Sequence, residues 1–334
     1  MGLKIRDVEF PHYVFMGPGL RGFFGEGYWF HSLIRLFFGV IWSGMNFVAK
    51  TTTFPKRRGN LELRADGYRM RRLFPRCILV HWLSGHILNA VGLAGPGFLA
   101  LLNIGYWQRR KDQWVFSFMA VGKTQGLRIQ EYQDFVDSLK TRLPELLELG
   151  AQIILQLNLG CPNTDNPLET LRNEIFECLT IARETSLPLM VNFNAFVPAE
   201  LLLELEQSGL VDCFWIANTV PYNIDHLGEV IFGQEISPMR QRGFGADGGI
   251  SGPLCLRYTI AAVRAARKIG VKLPIIAGNG VQSIGAVKAL IDAGASAIEI
   301  ATAAILRPWG VKRIVGYANE TFAQGESNAD PSDV

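Results

Sequence analysis

Cysteine is scarce and scattered. Cys77, Cys161, Cys178, Cys213 and Cys255 are the five in 334 residues, and no two stand in a C-x-x-C pair. That excludes a zinc ribbon or an iron–sulfur cluster built on such pairs, and no metal is expected. Free thiols in a chain of this size fit a reducing cytoplasm. Charge of one sign is also missing. The 33 basic and 30 acidic residues leave a net charge of +3, too small to argue for nucleic acid or an acidic partner. The first dozen residues carry charges and lack the apolar core of a secretory signal. No apolar run reaches the ~20 residues that a membrane-spanning helix needs. The most apolar window, Tyr28 to Trp42, is interrupted by His31, Arg35 and Gly39. It reads as a largely buried helix, and no membrane partner is expected.

What is abundant is alternation. Strand-like apolar runs at 13–16, 45–49, 114–120, 153–157, 187–191, 211–217, 273–277 and 297–301 are separated, nearly throughout, by helix-like amphipathic stretches. Gly150 stops the helix over 129–149, and Ser283 and Gly294 bracket the one before the last strand. Eight buried strands alternating with helices predict a (β/α)8 TIM barrel. A long insertion follows the second strand, from Thr51 to about Gln113, and a long loop, Asn218 to Gly249, follows the sixth. A doubly wound sheet would need G-x-G-x-x-G after its first strand, and Gly17-Pro18-Gly19 does not match. Residues 1–324 are expected to form a single domain. The polar stretch 325–334 is expected to be a disordered tail.

The active site of such a barrel forms at the C-terminal ends of its strands. The second strand ends in Lys50, the fourth in Asn158, the fifth in Asn192 and the sixth in Asn218. The seventh runs into Gly278-Asn279-Gly280 and the eighth into Thr302. Each asparagine offers one acceptor and one donor group, so a ring of them suits a planar heterocycle. Small residues at Gly249, Gly252, Gly280 and Ala301 would let backbone N–H groups approach a phosphate, which these barrels commonly hold after strands seven and eight. The fourth strand opens into Asn158-Leu159-Gly160-Cys161-Pro162-Asn163-Thr164. One thiol thus sits between two carboxamides in a tight loop.

With these residues in view, the chain resembles the dihydroorotate dehydrogenases, FMN-dependent (β/α)8 barrels of pyrimidine biosynthesis. Lys50-Thr51-Thr52-Thr53 with Pro55 and Arg58-Gly59-Asn60 is similar to the family's K-T-x-T…P-R-x-G-N loop. Asn89-Ala90-Val91-Gly92-Leu93 is similar to its N-x-x-G-[LF] substrate loop, and Asn158 to Thr164 to N-[LI]-S-[CS]-P-N. Gly248 to Thr302 resembles its phosphate-binding half. The resemblance implies oxidation of dihydroorotate to orotate. Cys161 would be the base that takes a proton from C5, while C6 delivers hydride to flavin N5. Lys50 would bridge flavin and substrate. Asn89, Val91, Gly92, Leu93, Asn158, Asn163, Asn218 and Thr219 would hold the substrate. Gly17, Lys50, Thr51, Asn158, Asn192, Gly249, Ser251, Gly252, Asn279, Gly280, Ala301 and Thr302 would hold FMN. A cysteine at 161 is similar to the soluble class, which implies a cytoplasmic enzyme, a homodimer, and room for an electron-transfer partner subunit.

The chain departs from the family at Asn192, where a flavin-contacting lysine is usual, and at Gly160, where serine is usual. Two other readings stay open. One is a tRNA dihydrouridine synthase-like FMN reductase, since Gly160-Cys161-Pro162 suits that family too and residues 56–76 contain eight Lys or Arg. The basic stretch reads more simply as a solvated loop, with no nucleic-acid partner. The other is a catalytically altered flavin-binding barrel.

Overall fold

The computed structural model describes residues 2–159 and 172–328. A short antiparallel hairpin, β1 (Lys4–Ile5) and β2 (Val8–Glu9), precedes the barrel. Then come β3 (Val14–Met16), α1 (Trp29–Phe38), β4 (Phe47–Val48), the hairpin β5 (Ile78–His81) and β6 (His86–Asn89), and α2 (Phe98–Ile104). The middle of the chain supplies β7 (Gln113–Phe118), α3 (Gln125–Leu147), β8 (Gln152–Asn158), α4 (Arg172–Arg183), β9 (Leu189–Phe193), α5 (Ala199–Gln207) and β10 (Cys213–Ile216). There follow β11 (Val220–Pro221), α6 (Leu227–Phe232), α7 (Pro238–Gln241), β12 (Gly249–Ser251), α8 (Leu256–Lys268), β13 (Ile275–Ala277), α9 (Ile284–Ile291), β14 (Ala297–Ile300), α10 (Thr302–Leu306) and α11 (Pro308–Asn328).

Eight of these strands form one parallel sheet in the order β3-β14-β13-β10-β9-β8-β7-β4. A parallel bridge from Phe15 to Asn46 brings its two edges together. The (β/α)8 barrel is therefore the fold. Its strands read as continuous apolar runs because both faces are covered. In β8, Ile153 to Asn158 are all buried, and so is every residue of β9 and β10. The helices between strands start and stop where side chains dictate. Thr124 Oγ1 accepts from the Leu127 amide at the head of α3, and Ser283 Oγ accepts from the Ala286 amide at the head of α9.

The two long excursions are not the irregular segments expected from sequence. β5 and β6 from the first pair with β12 and β11 from the second, giving an antiparallel sheet of order β11-β12-β6-β5. It has its own apolar core of Leu88, Ala90, Val220, Tyr222, Leu227, Ile231, Met239, Ile250 and Cys255. The run 248–252, whose glycines were expected to let backbone approach a phosphate, is thus largely strand β12. Glycine is needed at its ends. A Cβ on Gly248 would stand 2.7 Å from the Asn89 carbonyl oxygen, and Gly252, at φ +144°, packs on the His86 ring.

Two more expectations need correction. α1 is not largely buried. Only His31 and Ile34 are buried, and Leu33, Leu36, Phe37 and Phe38 are exposed. Exposed Ser32 and Arg35 share their surface with exposed Leu33, Leu36 and Phe37, while polar His31 is buried, so apolar character alone does not mark the hidden face. At the other end, α11 continues to Asn328, four residues into the stretch read as tail.

Candidate active site

The C-terminal ends of the barrel strands and the antiparallel sheet enclose a cavity of about 540 Å3. Lys50, Thr51, Asn158, Ala217, Asn218 and Thr219 line it from the barrel, with Asn279, Gly280, Glu299, Ala301 and Thr302 from the last two strand ends. Ile78, Val80, Ile87, Asn89, Val91, Gly92, Leu93 and Ser251 line it from the second sheet and its flanks. Gly17 lines it beyond β3.

The strand-end amides form a connected chain. Asn158 Nδ2 donates to Thr51 Oγ1 at 3.3 Å, Asn218 Nδ2 to Asn158 Oδ1 at 2.8 Å, and Asn192 Nδ2 to Asn218 Oδ1 at 3.2 Å. Asn279 Nδ2 donates to the Asn218 carbonyl at 3.0 Å, which ties β13 to the same chain. Asn89 Nδ2 donates to the Gly249 carbonyl at 3.3 Å, so β6 and β12 carry the facing amide. Asn158 and Asn218 are engaged through both the Nδ2 and the Oδ1 of their amides, whereas Asn192 and Asn279 are held through Nδ2. Two buried acceptors, Oδ1 of Asn192 and Oδ1 of Asn279, find no hydrogen-bond partner among the described residues. In a protein interior such an atom costs roughly 1–3 kcal/mol unless something pairs with it.

Lys50 is held in place by donating to the Ala94 carbonyl and by lying 4.4 Å over the Phe23 ring. Burial lowers its pKa to about 8, partly offset by Glu26. At neutral pH most of it stays cationic beside the amide chain. Glu299 was missed in the sequence. It sits in β14, and its Oε2 accepts from Trp215 Nε1 at 2.9 Å. Two glycines make room for it: a Cβ on Gly17 would lie 2.4 Å from Glu299 Oε1, and one on Gly278 would lie 2.6 Å from Glu299 Cβ. Burial pushes its pKa up to about 8, which keeps it largely protonated at neutral pH. The available signal was a single acid inside the apolar strand Ala297-Ile298-Glu299-Ile300. The aromatic and aliphatic rim, Tyr28, Trp29, Phe30, Leu33, Leu73, Phe74 and Trp82, also escaped notice.

Asn192, Gly249 and Gly252 do not themselves line the cavity. Asn192 acts through Asn218, Gly249 through Asn89, and Gly252 through Gly280, whose added Cβ would lie 2.4 Å from the Gly252 carbonyl oxygen. Cys161 and Asn163 lie outside the described residues. Asn158, the last residue of β8, is in the amide chain. No group of three or more potential metal ligands occurs among the described residues.

Fold and site together define a TIM barrel with an amide-lined polar floor beneath an apolar mouth. The sequence profile of the family described as dihydroorotate dehydrogenase matches residues 22–320. The chain belongs to the dihydroorotate dehydrogenase family, and is an oxidoreductase. It is 26% identical over 335 residues to the dihydroorotate dehydrogenase B (NAD(+)) catalytic subunit of Bacillus pumilus, covering 97% of this chain and 94% of that one. The subunit of the same name from Geobacillus sp. is 26% identical over 322 residues, covering 94% and 86%. The fold is similar to that of the Eimeria tenella enzyme crystallised with ferulenol, with a TM-score of 0.67, 20% identity, and coverage of 97% and 85%.

Proposed function

We infer that this chain oxidises dihydroorotate to orotate in pyrimidine biosynthesis and that it holds FMN in the cavity. The observation that carries the reading is the continuous chain of strand-end amides with Lys50 beside it. FMN suits the residues present. The cavity is large and mostly apolar, the buried Asn279 acceptor at its edge has no hydrogen-bond partner among the described residues, and Gly17 and Gly280 line it without a side chain. The holding residues would be Gly17, Lys50, Thr51, Asn158, Asn279 and Ser251, with the phosphate taken by Gly280, Ala301 and Thr302. Asn192, Gly249 and Gly252 support them from behind. When bound, FMN supplies a two-electron acceptor for the hydrogen leaving C6.

The chain's own residues do the rest. Asn89, Asn158, Asn163, Asn218 and Thr219 hold the ring and carboxylate of the substrate, with Val91, Gly92 and Leu93 packing against it. Lys50 places positive charge where negative charge develops. Cys161 Sγ takes the C5 proton, which needs a thiolate and therefore a lowered pKa. The relatives are named catalytic subunits, so a second, electron-accepting subunit belongs to the reading.

Anaerobic mixing of the flavin-loaded protein with dihydroorotate tests it. The yellow absorbance is expected to bleach, and Lys50→Met is expected to bleach at least ~100-fold more slowly. Unchanged absorbance in the wild type would rule out the substrate. Failure to bind added FMN would rule out the cofactor as well.

A further inference from the structure

One acid in the barrel interior has no part in the roles assigned so far. Glu299 is the third of the four residues of β14 and pairs with Phe15 of β3. Its side chain lines the cavity and meets Trp215 of β10. Phe15 and Trp215 themselves pack edge to face, at 5.6 Å between ring centroids. Gly17 beyond β3 and Gly278 beyond β13 crowd the side chain from the other directions. None of these neighbours titrates. Only 7% of the residue is exposed, and no cation pairs with it among the described residues. A carboxyl in such surroundings is cheaper to bury neutral than charged, and burial accordingly raises its pKa to about 8.

A neutral carboxyl carries one O–H, and its other oxygen is the better acceptor. Oε2 accepts from Trp215 Nε1 at 2.9 Å, which makes it the carbonyl oxygen and puts the proton on Oε1. Oε1 stands over Gly17, 2.4 Å from where a Cβ would be, and Gly17 lines the cavity too. Trp215 is the only hydrogen-bond partner of this carboxyl among the described residues. The Oε1 hydroxyl is therefore a donor without a protein acceptor, in a mostly apolar cavity. Left unpaired, such a donor costs about 1–3 kcal/mol, so the acceptor belongs to whatever fills the cavity. Of the described side chains that line it, only Lys50 and Glu299 titrate near neutral pH. The Tyr28 phenol, also at the cavity, is pushed above its usual range by burial and donates to the Gly19 carbonyl at 2.6 Å.

We propose that Glu299 binds the flavin ring, its Oε1 hydroxyl donating to a ring carbonyl oxygen or an unprotonated ring nitrogen. The proposal rests on the reading of the cavity as the FMN site. The ring is the partner, rather than the phosphate, because Glu299 lies within β14. Ala301 and Thr302, which take the phosphate on that reading, lie beyond the strand end. A neutral donor holds an uncharged ring without needing a counter-ion, and its bond strengthens as reduction makes the ring acceptors richer in electrons. Once the proton is lost, the same oxygen can only accept, and it repels those ring atoms. Flavin affinity is thereby tied to pH through one residue.

The test is titration of the FMN-free full chain with FMN, followed by flavin fluorescence from pH 7 to 9, for the wild type, Glu299→Gln and Glu299→Met. The glutamine amide accepts from Trp215 and donates to the ring at every pH. Dividing the wild-type Kd by that of Glu299→Gln therefore cancels the titration of Lys50 and of FMN itself. This ratio is expected to rise about tenfold between pH 7 and 9. The visible absorption band of bound FMN is expected to move further over that range in the wild type than in Glu299→Gln. At pH 7, Glu299→Met, which has no donor, is expected to bind FMN about tenfold more weakly than Glu299→Gln. The ratio decides even if the methionine variant does not fold. A constant ratio overturns the proposal and leaves the FMN reading standing, as does equal binding by the two variants. A rising ratio with equal band movement overturns the ring contact in favour of the phosphate or the ribityl chain. No FMN binding by the wild type at any pH overturns the FMN reading, and the proposal with it.

Discussion

Lys50 and Glu299 line the same cavity, and burial drives each toward its neutral form. Both pKa values fall near 8, so at neutral pH the lysine keeps most of its charge and the acid most of its proton. Both dihydroorotate and FMN are anions. On the proposed reading, a protonated Glu299 would let Lys50 act on them without an opposing carboxylate, and raising the pH through 8 would reverse both conditions. The same shift predicts how stability varies with pH. An exposed glutamic acid loses its proton near pH 4.5, whereas Glu299 in the fold keeps it to about pH 8. Between these values the folded state binds the extra proton. The contribution is therefore fully present below pH 4.5 and is lost as pH rises through 8. Lys50, lowered from 10.5, has its own effect only above pH 8 and with the opposite slope. Glu299→Gln keeps an acceptor for Trp215 and removes the titration. His31 and His86, held neutral down to about pH 4 by burial, raise stability between pH 5 and 6.5 in either protein. Urea denaturation of the FMN-free proteins from pH 5 to 8 should therefore show the wild type losing up to about 4 kcal/mol relative to the variant. Parallel pH curves for the two would place the titrating group elsewhere.

The elements differ in how plainly the sequence announces them. The barrel strands are legible because burial on both faces leaves uninterrupted apolar runs such as Ile153 to Leu157. The amide ring follows from them, because once strand ends are placed, Asn158 pairs with Asn192 and Asn218 lies two residues beyond the end of β10. The antiparallel sheet is not legible. β11 has two residues and β12 three, and Gly249 pairs with Asn89 from 160 positions away. Short segments of that kind have no period to detect, and their partner is set by tertiary packing. Glu299 was hidden for a related reason: an acid in a buried strand gives no local sign of the Trp215 indole it meets. The connection between α3 and α4 also depends on a long-range pair. Arg128 Nε and Nη2 each donate to a Glu174 carboxylate oxygen at 2.6 Å, and Nη1 donates to the Gly122 carbonyl at 3.0 Å. Both side chains are buried. Glu174→Ala leaves a guanidinium without its counter-ion and is expected to cost about 3–5 kcal/mol by urea denaturation. Arg128→Met/Glu174→Leu removes both charges and should recover most of it. Similar losses in the single and double variants would show that packing, not charge, joins these helices.

Taken whole, the molecule is a large barrel core with a small second sheet across its mouth, and the cavity is bounded by both. The small sheet has only nine buried apolar side chains in its core, against a barrel core that spans the chain from Leu3 to Phe322. Its opening free energy is accordingly lower than that of the barrel. A ligand that touches Lys50 and Asn158 on one side and Asn89 and Ser251 on the other must hold the two bodies together. Binding to the folded state alone, at a hundredfold excess over Kd, adds about 2.7 kcal/mol. With a melting entropy of roughly 2 cal/mol/K per residue, a chain of this size should melt about 4 °C higher. The gain should be local as well as global. Hydrogen exchange with and without FMN is expected to slow most in Ile78–Asn89 and Gly249–Ser251, by tenfold or more, and least in α4 and α5, which do not line the cavity. Equal slowing everywhere would mean that the flavin stabilises the barrel without bridging it to the small sheet. Slowing confined to α4 and α5 would put the binding site on the outer helical layer rather than in the cavity.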